Sequence, residues 1–88
     1  MSDHQNSIYK VQELLENIIQ ELIAGDSFFE IHTEVKDSCI EYVVAVEKEV
    51  AGRLIGKHGD VIKSLRTIIY SITMFQHQMK SIILIEPY

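Results

Sequence analysis

The chain has 88 residues, of which 47% are hydrophobic and 24% charged, so we expect one small globular domain and not a disordered segment. A domain of this size has little room for a deep cavity, which disfavours a large cofactor or a small-molecule substrate. The single cysteine, Cys39, excludes an internal disulfide and a cysteine zinc cluster. No apolar run approaches the roughly 20 residues that cross a bilayer, and no signal peptide is recognised. We therefore expect a cytoplasmic protein with no membrane partner and no cofactor.

Charge is distributed unevenly along the chain, whose formal net charge is −5. Residues 1–47 contain ten acidic and two basic residues, a net charge of −8, whereas residues 48–80 contain six basic and two acidic residues, a net charge of +4. The acidic total disfavours nonspecific nucleic-acid binding. The basic second part nevertheless contains the motif that most strongly indicates a ligand.

The first half of the chain predicts a helix followed by two strands. Residues 1–6 are polar and are expected to form a disordered tail. Apolar residues at three- and four-residue steps predict a helix from about Ser7 to Ala24, which Gly25 can end. Alternating apolar and polar residues predict a strand over Phe28–Val35, and a β-branched run predicts a more buried strand over Cys39–Val46. The short connection between these strands favours an antiparallel pair.

The second half predicts two helices and a last strand. A short helix is expected over Glu49–Ile55, a longer one from Asp60 to about Gln76, and a strand over Ser81–Glu86 that Pro87 ends. The element order is therefore α-β-β-α-α-β. Helices on one face of a three-stranded sheet would bury these apolar stripes, which gives a single α+β domain over residues 7–88. The two-helix connection allows the last strand to run parallel to a neighbour, so the sheet would be mixed.

Two of the predicted helices meet at the four residues Gly56-Lys57-His58-Gly59. A link of this length forms only a tight turn, and glycine at both ends tolerates positive φ and leaves the backbone open to a ligand. The following helix directs its unpaired N–H groups and its positive dipole end toward the turn. That geometry suits a phosphate group. By itself G-x-x-G is a weak pattern that also fits an ordinary helix–helix corner.

In its context, Ile55-Gly56-Lys57-His58-Gly59 resembles the signature of the KH domain, whose G-x-x-G loop clamps the backbone of four nucleotides. The helix and two strands before the motif and the one strand after it resemble the type II, bacterial form, over about residues 8–86. The resemblance implies a non-enzymatic protein that binds single-stranded RNA as an RNA chaperone or post-transcriptional regulator, with a link to cell shape. It also implies a homodimer, or a heterodimer with a second KH protein.

The implied RNA site is a narrow cleft between this turn with its two helices and an edge of the sheet. Backbone amides of the turn would hold phosphates, aliphatic side chains would form a floor under the bases, and sheet-edge groups could read base edges. Asp60 places a carboxylate beside the phosphate site and should weaken anion binding. Because the chain has no tryptophan, an aromatic stacking platform is not expected. The predicted RNA-binding residues are Arg53, Leu54, Ile55, Gly56, Lys57, His58, Gly59, Val61, Ile62, Lys63 and Arg66.

Enzymatic and metal-dependent functions find little support in the sequence. A P-loop needs four residues between its first glycine and its Gly-Lys pair, whereas Gly52 and Gly56 enclose three, and His58 takes the place of Ser or Thr. The four histidines lack metal-ligand spacing. No acid–base pair and no nucleophile with its base can be named, so no catalytic residue is predicted.

One alternative function stays open, because the chain is acidic overall. It is a protein-interaction adaptor or dimerisation module that keeps the KH fold and binds RNA weakly or not at all. Its surface would be apolar and would lie on the longer of the two late helices. The candidate residues, for which core packing is the default expectation, are Tyr70, Met74, Phe75 and Met79.

Overall fold

The computed structural model describes residues 3–23 and 27–88 and confirms the predicted order of elements. Three α-helices, three β-strands and one 3-10 turn follow one another in this part of the chain. They are α1 (Asp3–Leu22), β1 (Phe29–Lys36), β2 (Cys39–Val46), α2 (Lys48–Ile55), the 3-10 turn (Lys57–Gly59), α3 (Asp60–His77) and β3 (Lys80–Pro87).

The first helix differs from its prediction at both ends. α1 begins at Asp3, so residues 3–6, predicted as part of a tail, are helical. No glycine or proline interrupts residues 3–7, and nothing in that segment stops the helix. The helix ends at Leu22, before the predicted end. Ala24 and the Gly25 cap lie outside the described residues.

The strands form one mixed sheet in the order β1-β2-β3. β1 and β2 are antiparallel, and the turn between them places Asp37 and Ser38 at φ values of 49° and 74°, the positive φ that two-residue hairpins need. β3 runs parallel to β2, with Lys80 opposite Cys39. The bounds of β2 match their prediction, and those of β1 and β3 differ from theirs by one residue at each end. The fold is therefore α+β, with the arrangement of a type II KH domain.

The central strand supplies the middle of the core. Side chains on one face of β2 are fully buried and alternate with half-buried ones on the other face, so β2 is more buried than β1, as predicted. The helices cover the buried face, and their apolar stripes join it in one cluster. Fully buried members of this cluster include Leu15 and Ile19 of α1, Ile40, Tyr42, Val44 and Val46 of β2, Leu54 of α2 and Ile69 of α3.

Backbone hydrogen bonds fix the start of α2 to the end of the sheet. The Tyr88 N–H donates to the Val46 carbonyl at 2.9 Å, and the Lys48 N–H donates to the Tyr88 carbonyl at 3.0 Å. The junction of β2 and α2 is thus held by the residue that follows β3. This holds α2, and the turn after it, in place relative to β3.

Tyr42 lies fully buried in the core, and its hydroxyl has no hydrogen-bond partner among the residues that the structure describes. Burial raises the pKa of this phenol from 10.0 to about 12. Below pH 10 the phenol is neutral in both the folded and the unfolded chain. As the pH rises from 10 to 12, the unfolded chain loses this proton while the folded chain keeps it, so unfolding becomes progressively more favourable.

We expect Tyr42→Phe to leave the free energy of unfolding at neutral pH unchanged or to raise it by up to about 1 kcal/mol, because an unpaired buried hydroxyl is costly. The substitution should also remove a loss of stability of roughly 2–3 kcal/mol that the unmodified protein shows between pH 10 and 12. Urea unfolding of both proteins at neutral and alkaline pH measures the two effects. An identical alkaline loss in both proteins would contradict the assignment to Tyr42.

Candidate nucleic-acid interface

The glycine-bracketed loop, Gly56–Gly59, joins α2 to α3 through the 3-10 turn. Gly56 and Gly59 have φ values of 79° and 76°, so both glycines occupy the positive-φ region that the sequence predicted. His58 also has positive φ, at 56°, which the sequence pattern does not reveal. The side chains of Lys57 and His58 are exposed. The loop therefore turns sharply and directs its two side-chain-bearing residues into solvent.

The two glycines are required for different reasons. A Cβ atom on Gly56 would lie 2.5 Å from Val61 Cγ2 and 2.9 Å from the Val61 backbone nitrogen. A Cβ atom on Gly59 would have Lys63 Cε, at 3.8 Å, as its nearest neighbour. Packing against Val61 thus excludes a side chain at Gly56, whereas only backbone conformation favours glycine at Gly59. The same distance places the Lys63 side chain beside the loop.

Some of the loop amides are already used within the chain. The Gly56 N–H donates to the Gly52 carbonyl at 2.9 Å, and the Gly59 N–H donates to the Gly56 carbonyl at 3.1 Å. Within the described residues, the amides of Lys57 and His58 have no backbone partner. The expectation that the whole loop offers bare amides is therefore corrected to these two. Two successive free N–H groups at the start of a helix still form an anion-binding arrangement.

Four predicted cations lie in the loop or within seven positions of it along the chain. The side chains of Arg53, Lys57, Lys63 and Arg66 belong to exposed residues, and none forms an ion pair with a carboxylate of the described residues. The exposed Asp60 lies in the first turn of α3, where a carboxylate favours the helix start. Residues 53–66 thus carry four basic side chains and one carboxylate, although the whole chain is acidic.

The predicted aliphatic floor divides into surface and core residues. Ile55 is 39% exposed, and Val61 is partly buried beside the loop. Leu54 and Ile62 are 0% and 5% exposed and belong to the core cluster. The structure therefore corrects their assignment, because α2 and α3 turn these two side chains inward. They support the loop from beneath and do not line the surface.

An open groove with a volume of about 450 Å³ lies between α3 and the free edge of β3. Thr67 lines this groove and also a second hollow on α3, whose lining includes Lys63. The sequence predicted a cleft bounded by a sheet edge, but it did not place Tyr70 there. Tyr70 follows Arg66 by four residues and so lies on the same face of α3, a spacing that could have indicated it.

Arg66 crosses the groove. Its Nε and Nη2 atoms donate to the Ile83 carbonyl at 3.3 and 3.1 Å. Arg53 makes a comparable link on the other side of the loop, where its Nη1 atom donates to the Ile23 carbonyl at 3.3 Å. These two predicted RNA-binding residues therefore also connect elements of the fold. Arg66 joins α3 to β3.

The predicted apolar patch on α3 is largely exposed. Tyr70, Met74 and Phe75 are 41%, 37% and 87% exposed, and only Met79 packs partly against the core. The default expectation of core packing is thus wrong for three of the four residues. Tyr70 faces the α3–β3 groove, whereas Phe75 lines a hollow between α1 and α3.

Residues 3–23 and 27–88 contain neither a metal-binding cluster nor a membrane-spanning helix. No three His, Cys, Asp or Glu side chains in these ranges lie close enough together to hold a metal ion. None of their helices combines the length and the apolar character that a membrane span requires.

The element order and the glycine-bracketed loop between two helices define a KH domain of type II. A family model described as KhpA/KhpB, KH domain, matches residues 12–85. The chain therefore belongs to the KhpA/KhpB family of KH domains, which confirms the resemblance seen in the sequence.

Curated relatives agree with this assignment. RNA-binding protein KhpA of Listeria monocytogenes is 34% identical over 62 residues, which cover 70% of this chain and 82% of that protein. RNA-binding protein KhpA of Streptococcus pneumoniae is 31% identical over 62 residues, covering 70% and 78% of the two chains. The protein of that name from Oceanobacillus iheyensis is 28% identical over 61 residues, covering 69% and 81%.

Proposed function

We propose that the protein binds single-stranded RNA without catalysing a reaction, with phosphates on the glycine-bracketed loop and bases in the α3–β3 groove. The observation that supports this most is the loop itself, where two free amides lie with the exposed cations Lys57 and Lys63, neither of which has a carboxylate partner among the described residues. The helix that follows the loop, α3, forms one wall of a groove whose other wall is the sheet edge at β3. Sequence-selective RNA recognition targets single strands, whose bases can enter such a groove. The relatives' name, RNA-binding protein, supports the same function.

Binding by one such module should be weak and reversible. With about three phosphate contacts, the logarithm of the binding constant should fall with the logarithm of salt concentration at a slope of roughly −2. Weak binding to many transcripts suits an RNA chaperone or a post-transcriptional regulator in the cytoplasm, with effects on cell shape. A homodimer, or a heterodimer with a KhpB-type (Jag) KH protein, would strengthen binding by joining two modules.

The double variant Lys57→Asp with His58→Asp tests the loop. We expect it to stay folded, because both side chains are exposed, and to lose more than about tenfold in RNA affinity, because it adds negative charge at the phosphate site. Fluorescence anisotropy with a labelled single-stranded oligonucleotide measures the affinity. The matched control is Lys36→Asp with His32→Asp, an equal charge change on exposed residues of β1, at the other edge of the sheet. Unchanged affinity in the folded loop variant would refute the proposal.

The protein-interaction alternative also has an observation in its favour. Exposed apolar side chains on α1 and α3 border two hollows between these helices. Among them, Leu14, Ile68 and Phe75 are 40%, 48% and 87% exposed. Light scattering alongside the RNA titration separates the two functions. A monomer that binds RNA supports the first, whereas a dimer that binds no RNA supports the adaptor.

A further inference from the structure

β3 is an edge strand of the sheet, and its outer edge faces the α3–β3 groove. Among the strands of residues 3–23 and 27–88, β3 pairs only with β2, so its outer edge presents backbone N–H and C=O groups that have no strand partner there. The Ile83 carbonyl belongs to this edge, because it receives Arg66 from across the groove. Along a strand, the N–H and C=O of one residue point to the same side, so the Ile83 N–H faces the groove as well.

Arg66 changes what this edge offers to a ligand. A bare edge presents one donor and one acceptor at each such residue. Here the acceptor is occupied by two guanidinium N–H groups, and the remaining N–H groups of Arg66 stay available, since a guanidinium has five donors and no acceptor. The groove at Ile83 therefore presents hydrogen-bond donors from both the backbone and Arg66. A ligand that complements these donors has two adjacent hydrogen-bond acceptors on one edge.

The walls of the groove suit a flat aromatic ligand. Ile82 and Leu84 are apolar, and the aromatic side chain of Tyr70 lines the groove one helical turn beyond Arg66. A base stacked on Tyr70 would present its edge to Arg66 and Ile83. In such a partly dry site, a base that places a donor against these donors loses a hydrogen bond and leaves polar groups unpaired.

Among the RNA bases, cytosine (O2 and N3) and guanine (O6 and N7) have two adjacent acceptors. Adenine places its N6 amino donor beside N1 and N7, and uracil has N3–H between its two oxygens. We infer that Arg66 is a specificity-determining residue, which makes the α3–β3 groove select cytosine or guanine over adenine. This inference rests on the proposed RNA-binding function and names the bases that the site prefers.

The test uses the full chain and uracil hexanucleotides whose two central residues are cytosine, guanine or adenine. We expect the cytosine or the guanine oligonucleotide to bind about tenfold more tightly than the adenine one. In Arg66→Lys, which keeps the charge but loses the planar fork, this ratio should fall below about twofold. The matched control is Lys63→Gln, one turn earlier on α3, which should weaken all the complexes equally because it removes a phosphate contact.

A second measurement needs no variant and applies if Arg66→Lys fails to fold. Replacing central cytosine by 3-deazacytosine, or central guanine by 7-deazaguanine, removes one acceptor and should abolish the preference for that base. The two replacements also distinguish cytosine from guanine as the selected base. A preference that persists in Arg66→Lys or with the deaza bases, or equal binding of the adenine oligonucleotide, would overturn the inference and leave RNA binding intact. Failure of every oligonucleotide to bind would instead refute the proposed function.

Discussion

Gly56→Ala is expected to lower the free energy of unfolding by about 3 kcal/mol or more, because two costs combine at this position. An alanine at φ 79° is strained, and such backbone strain costs about 1–3 kcal/mol. Its Cβ atom would also overlap Val61, and overpacking typically costs a further 1–3 kcal/mol or so. One of the overlapping atoms is the Val61 backbone nitrogen, so relief requires a shift of the first turn of α3 and not a rotation of a side chain.

Two other glycines provide matched controls. Gly59→Ala has the strain of positive φ but no steric overlap at the new methyl group, whose nearest neighbour is Lys63 Cε at 3.8 Å, so we expect a loss of about 1–2 kcal/mol. Gly52→Ala lies inside α2 with no atom within 4 Å of the new Cβ, so we expect a gain of about 0.5–1 kcal/mol from helix propensity. Urea unfolding of the three variants measures whether their free energies of unfolding follow this order. Equal losses of unfolding free energy in Gly56→Ala and Gly59→Ala would show that packing against Val61 adds nothing to the cost of a side chain at Gly56.

The contrast between these glycines indicates which part of the loop is fixed by the fold. Gly56 is fixed by its contact with Val61, a residue of α3, and so couples the loop to that helix. Gly59 faces an open side, next to the amides of Lys57 and His58 that remain unpaired among the described residues. The side of the loop that we propose to face RNA is thus the side on which the fold imposes the weaker packing constraint.

Sequence patterns predicted the fold where they were long or chemically unambiguous. The β-branched run in β2 gave its bounds, and the change from Gly59 to Asp60 gave the start of α3. The start of α1 was predicted too late, because polarity at residues 3–6 suggested a tail although those residues can be helical. Polar residues other than glycine and proline cost a helix only a few tenths of a kcal/mol each, or about 0.7 kcal/mol at most, so polarity does not by itself prevent one.

The candidate site was predictable in its loop and less so in its surroundings. Positive φ at both glycines follows from residue type, whereas positive φ at His58 depends on how α2 and α3 meet. The bond from Arg66 to the Ile83 carbonyl joins residues 17 positions apart, and no local pattern encodes it. The place of Tyr70 likewise depends on where β3 lies. Long-range contacts of this kind arise only when the sheet and the helices pack together.

The sequence also could not predict that Leu54 points inward and Ile55 points outward. Both are large aliphatic residues next to each other at the end of α2, which has only eight residues. A helix of about two turns has too few apolar positions to define which of two neighbours faces the core. The packing of α2 against the sheet decides it.

Leu54→Ala is therefore expected to lower the free energy of unfolding by about 2–5 kcal/mol, because it removes a fully buried side chain and leaves a cavity. Ile55→Ala is the matched control and should cost less than about 1 kcal/mol, since Ile55 is substantially exposed. RNA affinity should follow the opposite order. At a temperature where both variants are folded, Ile55→Ala should bind RNA several-fold more weakly, because it loses apolar contact beside the loop.

Urea unfolding and RNA titration of the same two preparations measure both quantities. If Leu54 contacted bases directly, Leu54→Ala would lose RNA affinity even when fully folded, and the inward assignment would be wrong. If neither variant changed RNA affinity, bases would not approach the end of α2, and the RNA path would be confined to the loop and the α3–β3 groove. The two variants, at adjacent positions of one helix, thus distinguish a side chain that packs in the core from one that borders the ligand.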